Sequence, residues 1–116
     1  MRALTVRWSL TDAPDTAAQE LRSYVEDSSH ARFTAMPGLG FKTWRMRPAD
    51  WFEGCYVFGS DSEREAFQTE FTAGAAQSPV SVIVGSPPVL IEPCEVVGVA
   101  EGAAGFSPTP NGEPAA

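Results

Sequence analysis

The residues most able to bind or react with a small molecule lie in two runs rich in aromatic side chains, at 39–47 and 51–59. Lys42 and Trp44 are two residues apart, so on a strand their side chains share one face. An indole wall beside a cation is suited to one flat ligand. The alternative is a tryptophan that anchors the core while Lys42 extends outward to solvent. Both interpretations remain open.

Three further residues are candidates for the same site. Trp8 and Tyr56 are large enough to line a pocket, and Tyr56 adds a hydroxyl with a possible catalytic role, although large aromatics usually fill cores. Arg7 points away from the apolar side of the first strand. It is predicted either to bind an anionic ligand or to pair with one of the fifteen acidic residues.

His30 is the only histidine, and it has the only side chain with an unperturbed pKa near neutrality. It is a candidate general base if the end of its helix bends over a pocket, and otherwise a solvated surface residue. The acids are dispersed and the two cysteines are isolated, so we predict no metal site. Gly38 and Gly40 precede a strand and not a helix, so they are not a dinucleotide-binding fingerprint.

Composition excludes several classes of function. The net charge of -7 over 116 residues argues against binding to nucleic acid or anionic membranes. No apolar run approaches the ~20 residues of a membrane-spanning helix. The N-terminus enters an alternating strand pattern without a signal peptide, which predicts a cytoplasmic location.

The order of the secondary structure follows from periodicity and from turn residues. Leu4, Val6, Trp8 and Leu10 alternate with polar residues, as in a half-buried strand. Pro37-Gly38 ends a helix and begins a strand, and Ser60 to Glu63 is a capping box. The predicted elements are strands at 3–10, 39–47, 51–59 and 79–85, with helices at 15–35 and 60–74. Pro87-Pro88 interrupts the last strand, which resumes at 89–91, and residues 95–100 are a possible extra strand.

This βαββαβ order predicts an α+β, ferredoxin-like domain at 1–100, followed by a flexible Gly/Ala/Pro-rich tail at 101–116. Short hairpins give a four-stranded antiparallel sheet with two helices on one face. Leu39, Phe41 and Thr43 are placed on one face of the second strand, opposite Lys42 and Trp44. Because neither sheet face is simply polar, we expect a second copy of the chain to cover the open face.

The run Met36 to Trp44 resembles the P-G-x-x-x-K-x-W segment of the YdhR-like putative monooxygenases. Glu53 to Phe58 is similar to their glycine-plus-aromatic third strand. The resemblance spans residues 3–93, and the two adjacent prolines and the tail depart from it. It implies a dimeric α+β barrel of the superfamily that contains the antibiotic-biosynthesis monooxygenases.

The same resemblance implies a cofactor-independent monooxygenase acting on a small aromatic or polyketide-like metabolite. Two alternatives stay open: a homodimer that binds a small apolar or aromatic ligand without catalysis, and a haem-binding or haem-degrading protein. His30 would be the only imidazole ligand for haem.

Overall fold

The computed structural model describes residues 2–106, which form an antiparallel sheet with helices packed on one face. The strands are β1 (Arg2–Ser9), β2 (Leu39–Arg47), β3 (Trp51–Phe58) and β4 (Leu90–Glu95), and the helices are α1 (Ala17–Tyr24), α2 (His30–Thr34), α3 (Asp61–Ala73) and α4 (Pro79–Val84). A π-helical turn, Val25–Ser29, joins α1 to α2, and a 3-10 turn, Ala75–Gln77, precedes α4.

The strand order across the sheet is β2-β3-β1-β4, with every neighbouring pair antiparallel. This order confirms the predicted α+β class and the four-stranded antiparallel sheet, and it is compatible with the ferredoxin-like arrangement. The first three predicted strands and the long helix after Ser60 are also confirmed. The Ser60 hydroxyl accepts a hydrogen bond from the Glu63 backbone N–H, as the capping box predicted.

The strand predicted at 79–85 is wrong, because this segment forms α4. Ser78 caps the helix by accepting from the Ser81 backbone N–H, and Pro79 occupies the first turn. Gly85 ends the helix at a φ of +86°, a left-handed conformation that glycine adopts without strain. The valine-rich sequence favoured a strand locally, but these caps and the burial of Val80 and Val84 on one side favour the helix.

The fourth strand instead begins after the two adjacent prolines and pairs with β1 at the edge of the sheet. Pro93 is tolerated there because an edge strand needs no donor on its outer side. Residues 96–106 have no regular structure, so the possible strand at 95–100 is not formed. Of the predicted flexible tail, residues 107–116 lie outside the described range. No helix within residues 2–106 is long and apolar enough to cross a membrane.

The core lies between the sheet and the helices. The side chains of Leu4, Val6, Trp8 and Leu10 are all buried, which confirms the predicted inner face of β1. Aromatic side chains from three other segments complete this layer. They are Phe33 of α2, Phe52, Tyr56 and Phe58 of β3, and the half-buried Phe67 and Phe71 of α3.

A β-bulge near the start of β2 corrects one predicted face. The bulge lies between Leu39, which pairs with Phe58, and Phe41, which pairs with Val57. Leu39 therefore packs against the core, whereas Phe41 belongs to the open face and is 44% exposed. The extra residue breaks the two-residue alternation, which is why simple alternation placed these two side chains together.

The centre of the open face holds a buried carboxylate. Glu53 is 1% exposed and lies between Arg7 on β1 and Arg45 on β2, directly across from both in the strand register. The Arg7 Nη2 donates to one Glu53 oxygen at 2.7 Å, and the Arg45 Nε donates to the other. Burial alone would raise the pKa of Glu53, but the hydrogen bonds from both arginines lower it below its ordinary value.

We predict that Glu53→Gln destabilises the fold by about 3 kcal/mol near neutral pH, because it removes the charge that two guanidinium groups share. The lowered pKa means that the contribution of Glu53 is complete above its unfolded pKa and is lost as the pH falls through its folded pKa. Urea unfolding of both proteins should therefore give a difference that shrinks in acid. Asp50→Asn, which removes an exposed pair with Arg47, is the matched control and should change stability by under about 1 kcal/mol. Equal effects of the two substitutions would contradict the prediction.

Candidate functional site

A cavity of about 360 Å³ lies between the helix-covered face of the sheet and the helices. Its walls are mainly aromatic and apolar, from Trp8, Phe33, Trp44, Phe52, Tyr56, Phe67 and Phe71. Arg32 and Glu70 also line it, and because both are exposed they lie where the cavity opens to solvent. The volume falls within the range of small-molecule sites, which usually combine apolar walls with a few polar groups.

The ε-amine of Lys42 is the main polar group of this cavity. Its Nζ donates to the Tyr56 hydroxyl at 3.1 Å and lies 3.2 Å from the ring centre of Phe33 and 4.5 Å from that of Trp44. Burial, followed by the charge of Arg32, lowers the pKa of Lys42 from 10.5 to about 6. The ring faces act in the opposite direction, since they attract an ammonium group. With this pKa the neutral form of the amine predominates at neutral pH, and the ring faces around it stabilise the cation when it takes up a proton.

Tyr56 is the partner of this amine and remains protonated. Burial raises the pKa of Tyr56 above its ordinary value of 10.0, so its hydroxyl is a hydrogen-bond donor at neutral pH. The ring lies 5.5 Å from that of Phe33 and 4.8 Å from that of Phe67, centre to centre. Packing on both sides therefore holds the hydroxyl beside Lys42.

Gly54 provides the space that the two polar groups occupy. It sits on the cavity side of β3, and a Cβ added there would come within 3.4 Å of Lys42 Cε and 3.2 Å of Tyr56 Cε1. Any larger residue would displace the amine or the phenol ring. A glycine inside a strand often marks such a close approach, and this signal was present in the sequence.

The π-helical turn positions one end of the cavity. It brings Ser29 into a buried position, where the Ser29 hydroxyl accepts a hydrogen bond from Trp44 Nε1 at 3.2 Å. The indole is thus held against the helix and forms a fixed wall beside Lys42. Turns of this kind insert one residue into a helix and frequently occur at functional sites.

A second indole of the cavity wall, that of Trp8, is also fixed by a hydrogen bond. Trp8 Nε1 donates to the Ser81 hydroxyl of α4 at 2.9 Å, and that hydroxyl donates to the Ala75 carbonyl at 2.6 Å. The segment predicted as a strand therefore contributes the residue that orients Trp8. Both indoles in the cavity wall are therefore held in place by hydrogen bonds.

The structure brings together four of the six predicted site residues: Lys42, Trp44, Trp8 and Tyr56 all line the cavity. Arg7 does not line the cavity, because it lies on the open face and pairs with Glu53. Of the two alternatives predicted for Arg7, the structure therefore shows the ion pair with an acidic residue. His30 is near the site but outside it: its ring centre lies 5.9 Å from that of Trp44, and it is not among the lining residues of the described chain.

Sequence reasoning missed Arg32, Glu70 and Ser29. Their placement depends on the packing of α1, α2 and α3 over the sheet, and no motif marks them. Cys55 also stays apart from the cavity, on the open face beside Glu53, where burial raises the pKa of its thiol. Within residues 2–106, no group of three or more His, Cys, Asp or Glu side chains could hold a metal ion.

Comparison with known proteins supports the fold and gives no information about function. No family model and no curated protein matches this chain. The crystal structure of the NE2512 protein of unknown function from Nitrosomonas europaea is similar, with a TM-score of 0.64 and 21% sequence identity. The alignment covers 88% of this chain and 94% of that one. At this level of identity the likeness shows a shared fold alone.

We predict that Lys42→Met stabilises the protein, by on the order of 2 kcal/mol at about pH 7 after allowing for partial exposure of the side chain. The unfolded chain keeps a proton on Lys42 up to its ordinary pKa of 10.5, whereas the folded chain keeps it only below about 6. Wild-type stability therefore rises with pH across that interval, and the advantage of the variant declines.

Urea unfolding at several pH values between about 6 and 10 measures this difference. The matched control is Arg47→Met, which replaces an exposed cation on the same strand and should have a small, pH-independent effect. A gain from Lys42→Met that stays constant with pH would show that the amine is charged in the folded state.

Proposed function

We propose that this protein binds a small, flat hydroxyaromatic molecule in the aromatic cavity and oxidises it with molecular oxygen, without a cofactor. The observation that carries the proposal is the position of the Lys42 amine, which faces an apolar cavity beside the Tyr56 hydroxyl, where burial and the charge of Arg32 lower its pKa to about 6. A base with a pKa near neutrality can take a proton from an acidic substrate. The family resemblance of the strand that carries Lys42 supports the same chemistry.

The proposed reaction begins with proton transfer from the bound substrate to Lys42 Nζ. The resulting ammonium is stabilised by the faces of Phe33, Trp44 and Tyr56, and it lies beside the substrate anion. Tyr56 donates a hydrogen bond to the oxygen on which negative charge collects. The mainly apolar walls lower the local dielectric constant, which strengthens both interactions.

Oxygen then reacts with the electron-rich anion. Conversion of a ring CH₂ group to a carbonyl consumes one O₂: one oxygen atom enters the product and the other leaves as water. The four electrons that reduce O₂ come from the substrate carbon, so the balance requires no flavin or metal. The chain contributes the base, the hydroxyl donor and the flat walls that orient the ring.

This proposal is tested by oxygen uptake with a panel of naphthols and hydroxyanthrones. We expect uptake by the wild-type protein and a loss of about a hundredfold or more in Lys42→Met, because the general base is removed. Arg47→Met is again the matched control and should retain the wild-type rate. Wild-type uptake that survives in Lys42→Met would contradict the role of the amine.

The same panel decides between the proposal and the non-catalytic binder. Micromolar binding with no uptake for any compound would favour a binding protein that uses the same cavity. The haem alternative has less support, because His30 lies beside Trp44 and not on the cavity wall. A cytoplasmic location remains a prediction.

We also propose a homodimer that packs through the open face of the sheet. Within the described residues the helices lie on the other face, and the open face combines the Glu53 ion pair with Trp51, Val57 and the exposed Phe41. The other face of β3, which carries Phe52, Tyr56 and Phe58, points to the core. A second copy is the simplest partner of complementary shape.

Light scattering should give about twice the 12.4 kDa mass of one chain. Val57→Asp places a charge in the proposed interface and should shift the protein towards the monomer. Val82→Asp, at a valine that is 71% exposed on α4, is the matched control and should remain dimeric. A monomeric wild-type protein would exclude this assembly.

A further inference from the structure

Lys42 is the only lysine among the 116 residues. The other basic side chains are seven arginines and one histidine, so the only further primary amine is the N-terminal one. The one lysine of this chain therefore lies in the cavity and not on the surface, where lysines usually occur.

The surroundings of this amine differ from those of a structural lysine. No ion pair within residues 2–106 involves Lys42, whereas five of the seven arginines have an acidic partner. The amine instead contacts a phenol oxygen and aromatic ring faces. The other charged or titratable groups that line the cavity are Tyr24 of α1, Arg32 of α2 and Glu70 of α3. This arrangement leaves the nitrogen lone pair available to react.

We propose that Lys42 captures small aromatic aldehydes in the cavity as a reversible imine. The proposal rests on the proposed function for the preference of the cavity for flat apolar molecules, and it does not require oxygen. It extends the role of Lys42 from a base that accepts a proton to a nucleophile that bonds to carbon.

The step balances without an oxidant or a reductant. Nζ adds to the carbonyl carbon, the C–N bond forms, and the carbonyl π electrons move to oxygen, which takes a proton from the Tyr56 hydroxyl. The amine proton passes back to the tyrosine oxygen. Tyr56 then donates a proton to the carbinolamine hydroxyl, which leaves as water as the C=N bond forms. The proton that remains on nitrogen passes back to the tyrosine oxygen, which gives a neutral imine and restores the Tyr56 hydroxyl.

Two properties of the site favour this product. Tyr56 is protonated at neutral pH and lies 3.1 Å from the attacking nitrogen, so a proton donor is in place for both addition and dehydration. The ring of an aromatic aldehyde would pack against the mainly apolar walls of the cavity, which favours the bound imine. Arg32, at the opening, favours an uncharged amine over an ammonium.

The test is reductive trapping of the full chain with benzaldehyde and cyanoborohydride at about pH 7, in the absence of oxygen. Trypsin cleaves unmodified protein after Lys42 but does not cleave after an N-benzyl lysine. Modification at the site therefore yields the peptide 33–45 carrying one benzyl group. Reaction at the N-terminal amine appears in a different peptide and is an internal reference.

We expect the 33–45 adduct to form at least about tenfold faster in the folded protein than in the guanidinium-unfolded chain, where Lys42 has its ordinary pKa and is almost fully protonated. An equal or slower rate in the folded protein, or an adduct confined to the N-terminus, would overturn the inference. Lys42→Arg should give only the N-terminal adduct.

Oxygen uptake separates this inference from the proposed function. Trapping at Lys42 by a protein that consumes no oxygen with any hydroxyaromatic compound would support imine formation and exclude the oxygenase. Uptake without an adduct would support the oxygenase and overturn imine formation.

Discussion

The candidate site depends on the burial of a single primary amine among aromatic rings without a carboxylate partner in the described chain. A buried charge that lacks a counter-ion is unfavourable, and the least costly response is for the amine to lose its proton. The ring faces of Phe33, Trp44 and Tyr56 reduce the cost of regaining that proton. The site is thus able to exchange a proton near neutral pH, which a surface lysine cannot do.

The two faces of the sheet differ in whether a buried charged group has a partner of opposite charge. On the open face, Glu53 is buried between two arginines, so its charge is compensated and its pKa falls. On the helix-covered face, no carboxylate compensates the charge of Lys42. Burial therefore disfavours its protonated form, and because that form is the charged one, the pKa of Lys42 falls as well. Glu53 therefore contributes to the stability of the fold, whereas Lys42 reduces it. A destabilising residue at the wall of a cavity is typical of a functional site.

The helices keep the cavity open by holding its walls in place. Hydrogen bonds from the two indoles, Trp44 to Ser29 and Trp8 to Ser81, tie the cavity wall to the π-helical turn and to α4. Neither indole can rotate into the cavity without losing its hydrogen-bond partner inside the protein. Gly54 keeps the floor of the cavity clear. Specific hydrogen bonds and a glycine therefore maintain the cavity.

The sequence alone determined the local features. The alternation in β1, the Pro37-Gly38 turn and the capping box at Ser60 each depend on neighbouring residues, and the structure confirms all three. It also placed Lys42 and Trp44 on one face, because the alternation of side chains along a strand is a property of the backbone. These predictions needed no information about distant segments.

Only the tertiary structure decided the rest. The valine-rich segment 79–84 had a strand composition and helix caps together, and its packing beside Trp8 selected the helix. The bulge that separates Leu39 from Phe41, and the burial of Lys42 without a partner, depend on which segments lie across the sheet. Contacts between residues far apart in the chain leave no periodic signal in the sequence, so the cavity and its uncharged amine became visible only when the chain was folded.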